Sequence, residues 1–192
     1  MFKVILIVIG IITFSYGAYT PIKAELSQYL IRHAWHESMQ LGQTVKPWSW
    51  ADMYPVMRLK SVKHKQDLIV LAGDTGNVLA FGPGLSHQTP PNRYSSTWLV
   101  SAHRDTHFNF LQNIKIGEIL TTTTLDQNQL IFKVSDIEII DASKQGIDIS
   151  DTQAELKLVT CYPFDTLTAG GSLRYVVTAE NLSIENYVNF LY

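Results

Sequence analysis

The sequence predicts a mainly β protein, a closed barrel or a two-sheet sandwich, and three observations carry that expectation. From Tyr54 onward short β-branched runs recur: Pro55–Leu59, Leu68–Ala72, Val78–Phe81, Thr97–Ala102, Ile119–Thr124, Leu130–Ile140, Leu156–Thr160 and Tyr175–Ala179. Gly, Asp and Asn punctuate them, and Asp74-Thr75-Gly76-Asn77 reads as a hairpin turn between two of the runs. Short strands with few helical interruptions are the pattern of barrels and sandwiches, which bury one face of each strand.

Composition bounds the function. A chain of 192 residues, 46% hydrophobic and 17% charged, can bury a core, so wholesale disorder is excluded. At about 150 residues per domain it holds one domain and a remainder. Lys+Arg 15 against Asp+Glu 17 leaves no basic excess to neutralise phosphates, which argues against a nucleic-acid partner. A single cysteine excludes an intrachain disulfide and any multi-cysteine metal site. The thiol is then either a small buried hydrophobe or a nucleophile.

The remainder lies at the front. No charge appears from Val4 to Ile22, a run that matches the about 20 residues needed to cross hydrocarbon about 30 Å thick. Residues 1–20 read as an uncleaved transmembrane anchor with Tyr16 and Tyr19 at its interface, and Lys3 favours an N-in orientation. A signal peptide cleaved near Ser15-Tyr16-Gly17 is the alternative, and in both cases the body is exported. Outside the cytoplasm an unpaired cysteine is an anomaly, which favours a chemical use for it.

Residues 21–45 form a second, amphipathic helix in this reading, with Pro21 in its first turn and Gly42 as its C-cap. Leu26, Tyr29, Leu30, His33 and Met39 make its apolar stripe, and His33 and His36 read as an exposed face rather than a metal pair. Lys46 to Pro55 then lays Trp48, Trp50 and Tyr54 on a core, and residues 46–192 make the β-rich body.

Cys161 ends the alternating strand Leu156-Lys157-Leu158-Val159-Thr160. Leu156, Leu158 and Thr160 share one face, and Cys161 lies on the other with Lys157 and Val159. Pro163 then breaks the pairing. His103 ends the strand from Thr97, and Arg174 opens the strand after the cysteine. The loop would return Arg174 to Cys161 if the two strands pair antiparallel. A thiol needs a base to become a nucleophile, which a histidine supplies, and a fixed guanidinium can donate to a developing oxyanion.

These residues resemble the sortases, membrane-anchored cysteine transpeptidases. His103, Leu158-Val159-Thr160-Cys161 and Arg174 match that family's pattern. Lys46 to Asp52, Ala80 to Gly84, His103 to Phe108, Thr160 to Asp165 and Gly170 to Val177 look like the Gram-negative class. The resemblance implies an eight-stranded barrel behind a transmembrane helix and an amphipathic helix, single-pass in the bacterial inner membrane with the catalytic domain periplasmic. It implies an exported protein partner bearing a Leu-Pro-x-Thr-Gly-like sorting signal, cut between Thr and Gly. Cys161 would form the thioester, His103 would shuttle the proton, and Arg174 would hold the carbonyl oxygen or substrate backbone. An amine acceptor or water would resolve the intermediate. Thr160, Tyr162 and Phe164 are expected substrate contacts, and Asp105 either orients His103 or stabilises a turn. Asp148 and Asp151 alone make a poor calcium site, so no metal and no cofactor is expected.

Other readings fit less well. An L,D-transpeptidase-type enzyme also orders His, Cys and Arg, but sets its cysteine in Ser-x-Gly-Cys. The Gly-x-Cys-Gly loop of a chymotrypsin-like cysteine protease is missing. His103-Arg104-Asp105-Thr106-His107 lacks the central Glu of a zinc protease motif. A non-catalytic, membrane-tethered binding module with Trp48, Trp50 and Tyr54 as its face is the alternative from another class.

Overall fold

Alternation along the β-branched runs makes one face of each strand apolar, and closing the sheet buries all of those faces at once. The computed structural model describes residues 2–89, 96–166 and 170–182, with backbone alone for most of residues 2–21. The strands are β1 (Pro55–Ser61), β2 (Gln66–Ala72), β3 (Gly84–Leu85), β4 (Trp98–Ser101), β5 (Ile119–Thr124), β6 (Gln129–Asp141), β7 (Glu155–Cys161) and β8 (Leu173–Asn181). They form a closed barrel in the order β1-β2-β3-β4-β7-β8-β6-β5, the mainly β architecture that the sequence predicts. Pairing is antiparallel except between β2 and β3 and between β4 and β7.

Inside, Leu59, Val70, Val100, Leu120, Phe132, Leu156, Leu158 and Val177 are buried together with Phe108 and Leu111. Outside, Leu99, Ile140, Val159 and Val176 form a second cluster, and Ile147 and Ile149 from the β6–β7 connection pack over it. A third cluster, Ile31, Met53, Leu71 and Val78, seats the N-terminal helix on the barrel wall.

Two expectations change in the segment after β2. Asp74–Asn77 is no hairpin, and Val78–Phe81 is no strand: Gly76–Leu79 form a short helix, α2, that buries Val78. A tight hairpin joins antiparallel neighbours, whereas β2 and β3 are parallel, so residues 73–83 are a crossover. The strand supplied by this region is Gly84–Leu85, where a Cβ on Gly84 would lie 2.1 Å from the Gly73 carbonyl oxygen.

The N-terminal helices are one. Helix α1 runs Phe2–Leu41 without a break at Pro21. Proline there removes one i→i−4 hydrogen bond, and the rest of the ladder continues through it. Its buried stripe is Ser27, Ile31, Ala34, Trp35 and Ser38, while Leu26 and Tyr29 of the expected stripe are exposed. Ser27 and Ser38 can be buried because their hydroxyls donate to the Lys23 and Ala34 carbonyls. Among the described residues no helix is long and apolar enough to cross a membrane, and the side chains of Tyr16 and Tyr19 lie outside those residues.

Before β1, Trp48 is half-buried with its ring on Phe81, as the ring-packing reading of this segment requires, but Trp50 is 84% exposed.

Candidate active site

The register of three neighbouring strands builds the site. Strand β4 runs parallel to β7 with Val100 opposite Leu158 and Ser101 opposite Val159. The Ala102 N–H donates to the Val159 carbonyl at 3.2 Å, completing the last pairing of these strands, and one residue on His103 enters the cavity that Cys161 also lines. On the other side β8 runs antiparallel to β7, with Cys161 directly opposite Arg174. The Tyr162 N–H donates to Leu173 at 3.1 Å, which makes Cys161 and Arg174 a non-hydrogen-bonded pair. Side chains at such a pair stand close, with Cβ atoms about 5 Å apart. Cys161 and Arg174 thus form a row across β7 and β8, and His103, two residues past the end of β4, shares a cavity with Cys161.

Alternation puts that row on the outer face. Leu156, Leu158, Ala102 and Val177 point into the barrel, while Val159 and Val176 point out, and Cys161 and Arg174 share the outward parity. Cys161 is half-buried and His103 exposed. Both open into a cavity of about 290 Å³ lined also by Arg104, Asp105, Tyr162, Pro163, Thr166, Gly170 and Gly171.

Arg174 is tied to the base of the loop and does not line this cavity. Its Nη1 donates to the Gly171 carbonyl at 2.6 Å and to its own strand at Leu173 O at 2.9 Å. A guanidinium carries five N–H donors, and the Nε and Nη2 hydrogens of Arg174 have no protein partner among the described residues.

Several expected contacts are placed differently. Thr160 is buried and turned inward, its hydroxyl donating to the Ala102 carbonyl at 2.8 Å, so it joins the two strand ends instead of facing the cavity. Phe164 packs against Tyr175, ring centroids 5.1 Å apart, and against the barrel core, and it does not line the cavity. Tyr162 does line it, stacked on Tyr175 at 6.2 Å. The Asp105 carboxylate accepts from Arg104 Nε at 3.1 Å, and among the described residues no carboxylate hydrogen-bonds the His103 ring. Burial, and the neighbouring His103 charge after it, push the His107 pKa below its ordinary value, so this imidazole stays neutral at neutral pH. Among the described residues no group of three or more His, Cys, Asp or Glu is placed to hold a metal ion.

One residue escapes the sequence reading. Arg104 is buried, and its Nη1 and Nη2 donate to the carbonyls of Pro163 at 2.6 Å and Thr166 at 2.7 Å. The only local signal is an arginine directly after the strand-end histidine.

Comparison with known proteins agrees with this fold. The family model of the Sortase domain matches residues 59–182. Among solved structures, a Clostridium perfringens sortase D5 transpeptidase superposes with TM-score 0.60 at 17% identity, covering 77% of this chain and 88% of that one. A group B Streptococcus pilus island 1 sortase C2 gives TM-score 0.56 at 25% identity, with 66% and 73% covered. A sortase C from Clostridium perfringens SM101 gives 0.57 at 18%, with 84% and 90% covered. A search of the curated proteins finds no match. The chain belongs to the sortase family.

Proposed function

We propose that the protein is a cysteine transpeptidase acting on an exported protein with a Leu-Pro-x-Thr-Gly-like sorting signal. The placement of Cys161 opposite Arg174 on β7 and β8, with His103 lining the same cavity as Cys161, carries the reading. Cys161, activated by His103, attacks the Thr carbonyl, and the negative charge on its oxygen falls beside the uncommitted Arg174 donors. His103 then protonates the departing Gly amine, which leaves a thioester on Cys161. An incoming amine, deprotonated by His103, or water resolves it. The uncharged run Val4–Ile22 anchors the enzyme in the inner membrane with the barrel on the periplasmic side. Resemblance of Lys46–Asp52 and the flanking segments supports the Gram-negative class.

The test is a fluorogenic Leu-Pro-x-Thr-Gly peptide incubated with the protein and with Cys161→Ala. Cleavage between Thr and Gly by the wild type alone is expected, and equal cleavage by Cys161→Ala overturns the proposal. Retention of the full chain in carbonate-washed membranes is expected for the anchor, and release contradicts it.

A further inference from the structure

We propose that Arg104 is a positioning residue that fixes the geometry between His103 and Cys161 by bracketing the two loops beyond them. The inference rests on the transpeptidase reading of this site. His103 follows β4 and Cys161 ends β7, and the ladder no longer constrains either loop once those strands end. Upstream, the Thr160 hydroxyl closes the gap on the Ala102 carbonyl. Downstream, Arg104 closes it on Pro163 and Thr166, two carbonyls of the loop after the cysteine. The reacting pair is therefore clamped on both sides, with one cross-link ahead of it in the chain and one beyond it.

The chemistry of the side chain suits this task. A planar guanidinium presents its two Nη groups in a fixed fork, so two carbonyls bound at 2.6 and 2.7 Å define the position of the loop and not only its distance. The side chain is 7% exposed, whereas the Asp105 side chain that accepts from Nε is 69% exposed. The guanidinium thus meets two carbonyl dipoles at the cavity wall, and Arg104 lines the same cavity as Cys161. The clamp matters because misplacing a reacting group by about 1 Å costs about 100-fold in rate.

Arg104→Gln and Arg104→Lys in the full chain test this. Lysine keeps the charge but as a single ammonium cannot span both carbonyls in the same plane. Both variants are expected to lose kcat by about 30-fold or more while KM moves less than about threefold, with cooperative melts retained. Full rescue by lysine, or a raised KM with unchanged kcat, overturns the proposal. If Arg104→Gln does not fold, Asp105→Ala removes the acceptor at Nε from an exposed position. A fall in kcat of about threefold is then expected, and unchanged kcat overturns the proposal. Alkylation of Cys161 by iodoacetamide at neutral pH needs no peptide, and about fivefold slower reaction in Arg104→Gln is expected. Equal alkylation rates overturn the role of Arg104, whereas a wild type that cleaves no peptide of this class refutes the substrate reading alone.

Discussion

The Thr160 hydroxyl donates to the Ala102 carbonyl at 2.8 Å, and through that bond the strand end bearing Cys161 is fixed to the strand end bearing His103. Both residues face the barrel interior, so the bond lies in the core while His103 and Cys161, one position further on, lie toward the outer face. Thr160→Val keeps the shape and deletes the donor. A loss of about 1–3 kcal/mol in urea unfolding is expected, together with a fall in peptide cleavage beyond what the unfolded fraction explains. Thr160→Ser is expected to restore most of both.

Arg174 is expected to behave as an electrostatic group rather than a structural one. It is only half-buried, and its contacts to Gly171 and Leu173 lie at a loop base. Arg174→Ala is predicted to reduce kcat/KM by about 100- to 1,000-fold, in line with loss of an oxyanion donor, and stability by less than about 1 kcal/mol. Steady-state kinetics alongside a melting curve separate the two.

Acid sensitivity should track Glu118, which ties the β1–β2 turn to the start of β5. Its carboxylate meets His64 Nε2 at 2.6 Å and Lys63 Nζ at 2.7 Å. Burial pushes this carboxyl up, but the hydrogen bonds and charges of Lys63 and His64 outweigh it and hold the pKa below the ordinary 4.5. The unfolded chain therefore takes up this proton more readily than the folded one. The contribution is complete above about pH 4.5 and is lost as pH falls through the lower folded value. Urea titrations between about pH 3 and pH 6 should show this decline in the wild type and a flatter one in Glu118→Gln.

Gly84 should tolerate no side chain. A Cβ there would stand 2.1 Å from the Gly73 carbonyl oxygen, a backbone atom that cannot move aside without disturbing the β2–β3 pairing. Gly84→Ala is predicted to cost about 2 kcal/mol or more, read as a lower melting temperature, because β3 is the link that carries β2 to β4.

Strands whose apolar period is local were legible in the sequence. Ile119–Thr124 is bounded as its alternation predicts, and the inward and outward faces of Leu156 to Cys161 follow from parity alone. Val78–Phe81 was not legible, because four apolar-rich residues suit a strand or a helical turn and the parallel β2–β3 pairing decides between them. The stripe on α1 was misplaced for a related reason. Ser27 and Ser38 look polar in sequence, yet they bury once their hydroxyls bond their own helix. In the site, Cys161, His103 and Arg174 announced themselves as strand-end residues. The partners of Thr160 and Arg104 lie about sixty residues away in the chain, and no local pattern encodes such a bond.

The thioester is the most direct test of the account. The full chain mixed with a Leu-Pro-x-Thr-Gly peptide and quenched in acid should carry the mass of the acyl fragment ending at Thr, and peptide mapping should place it on Cys161. The adduct should vanish on addition of hydroxylamine and be absent from Cys161→Ala. Peptide cleaved at Thr-Gly with no adduct on Cys161, or cleaved equally well by Cys161→Ala, would contradict the account.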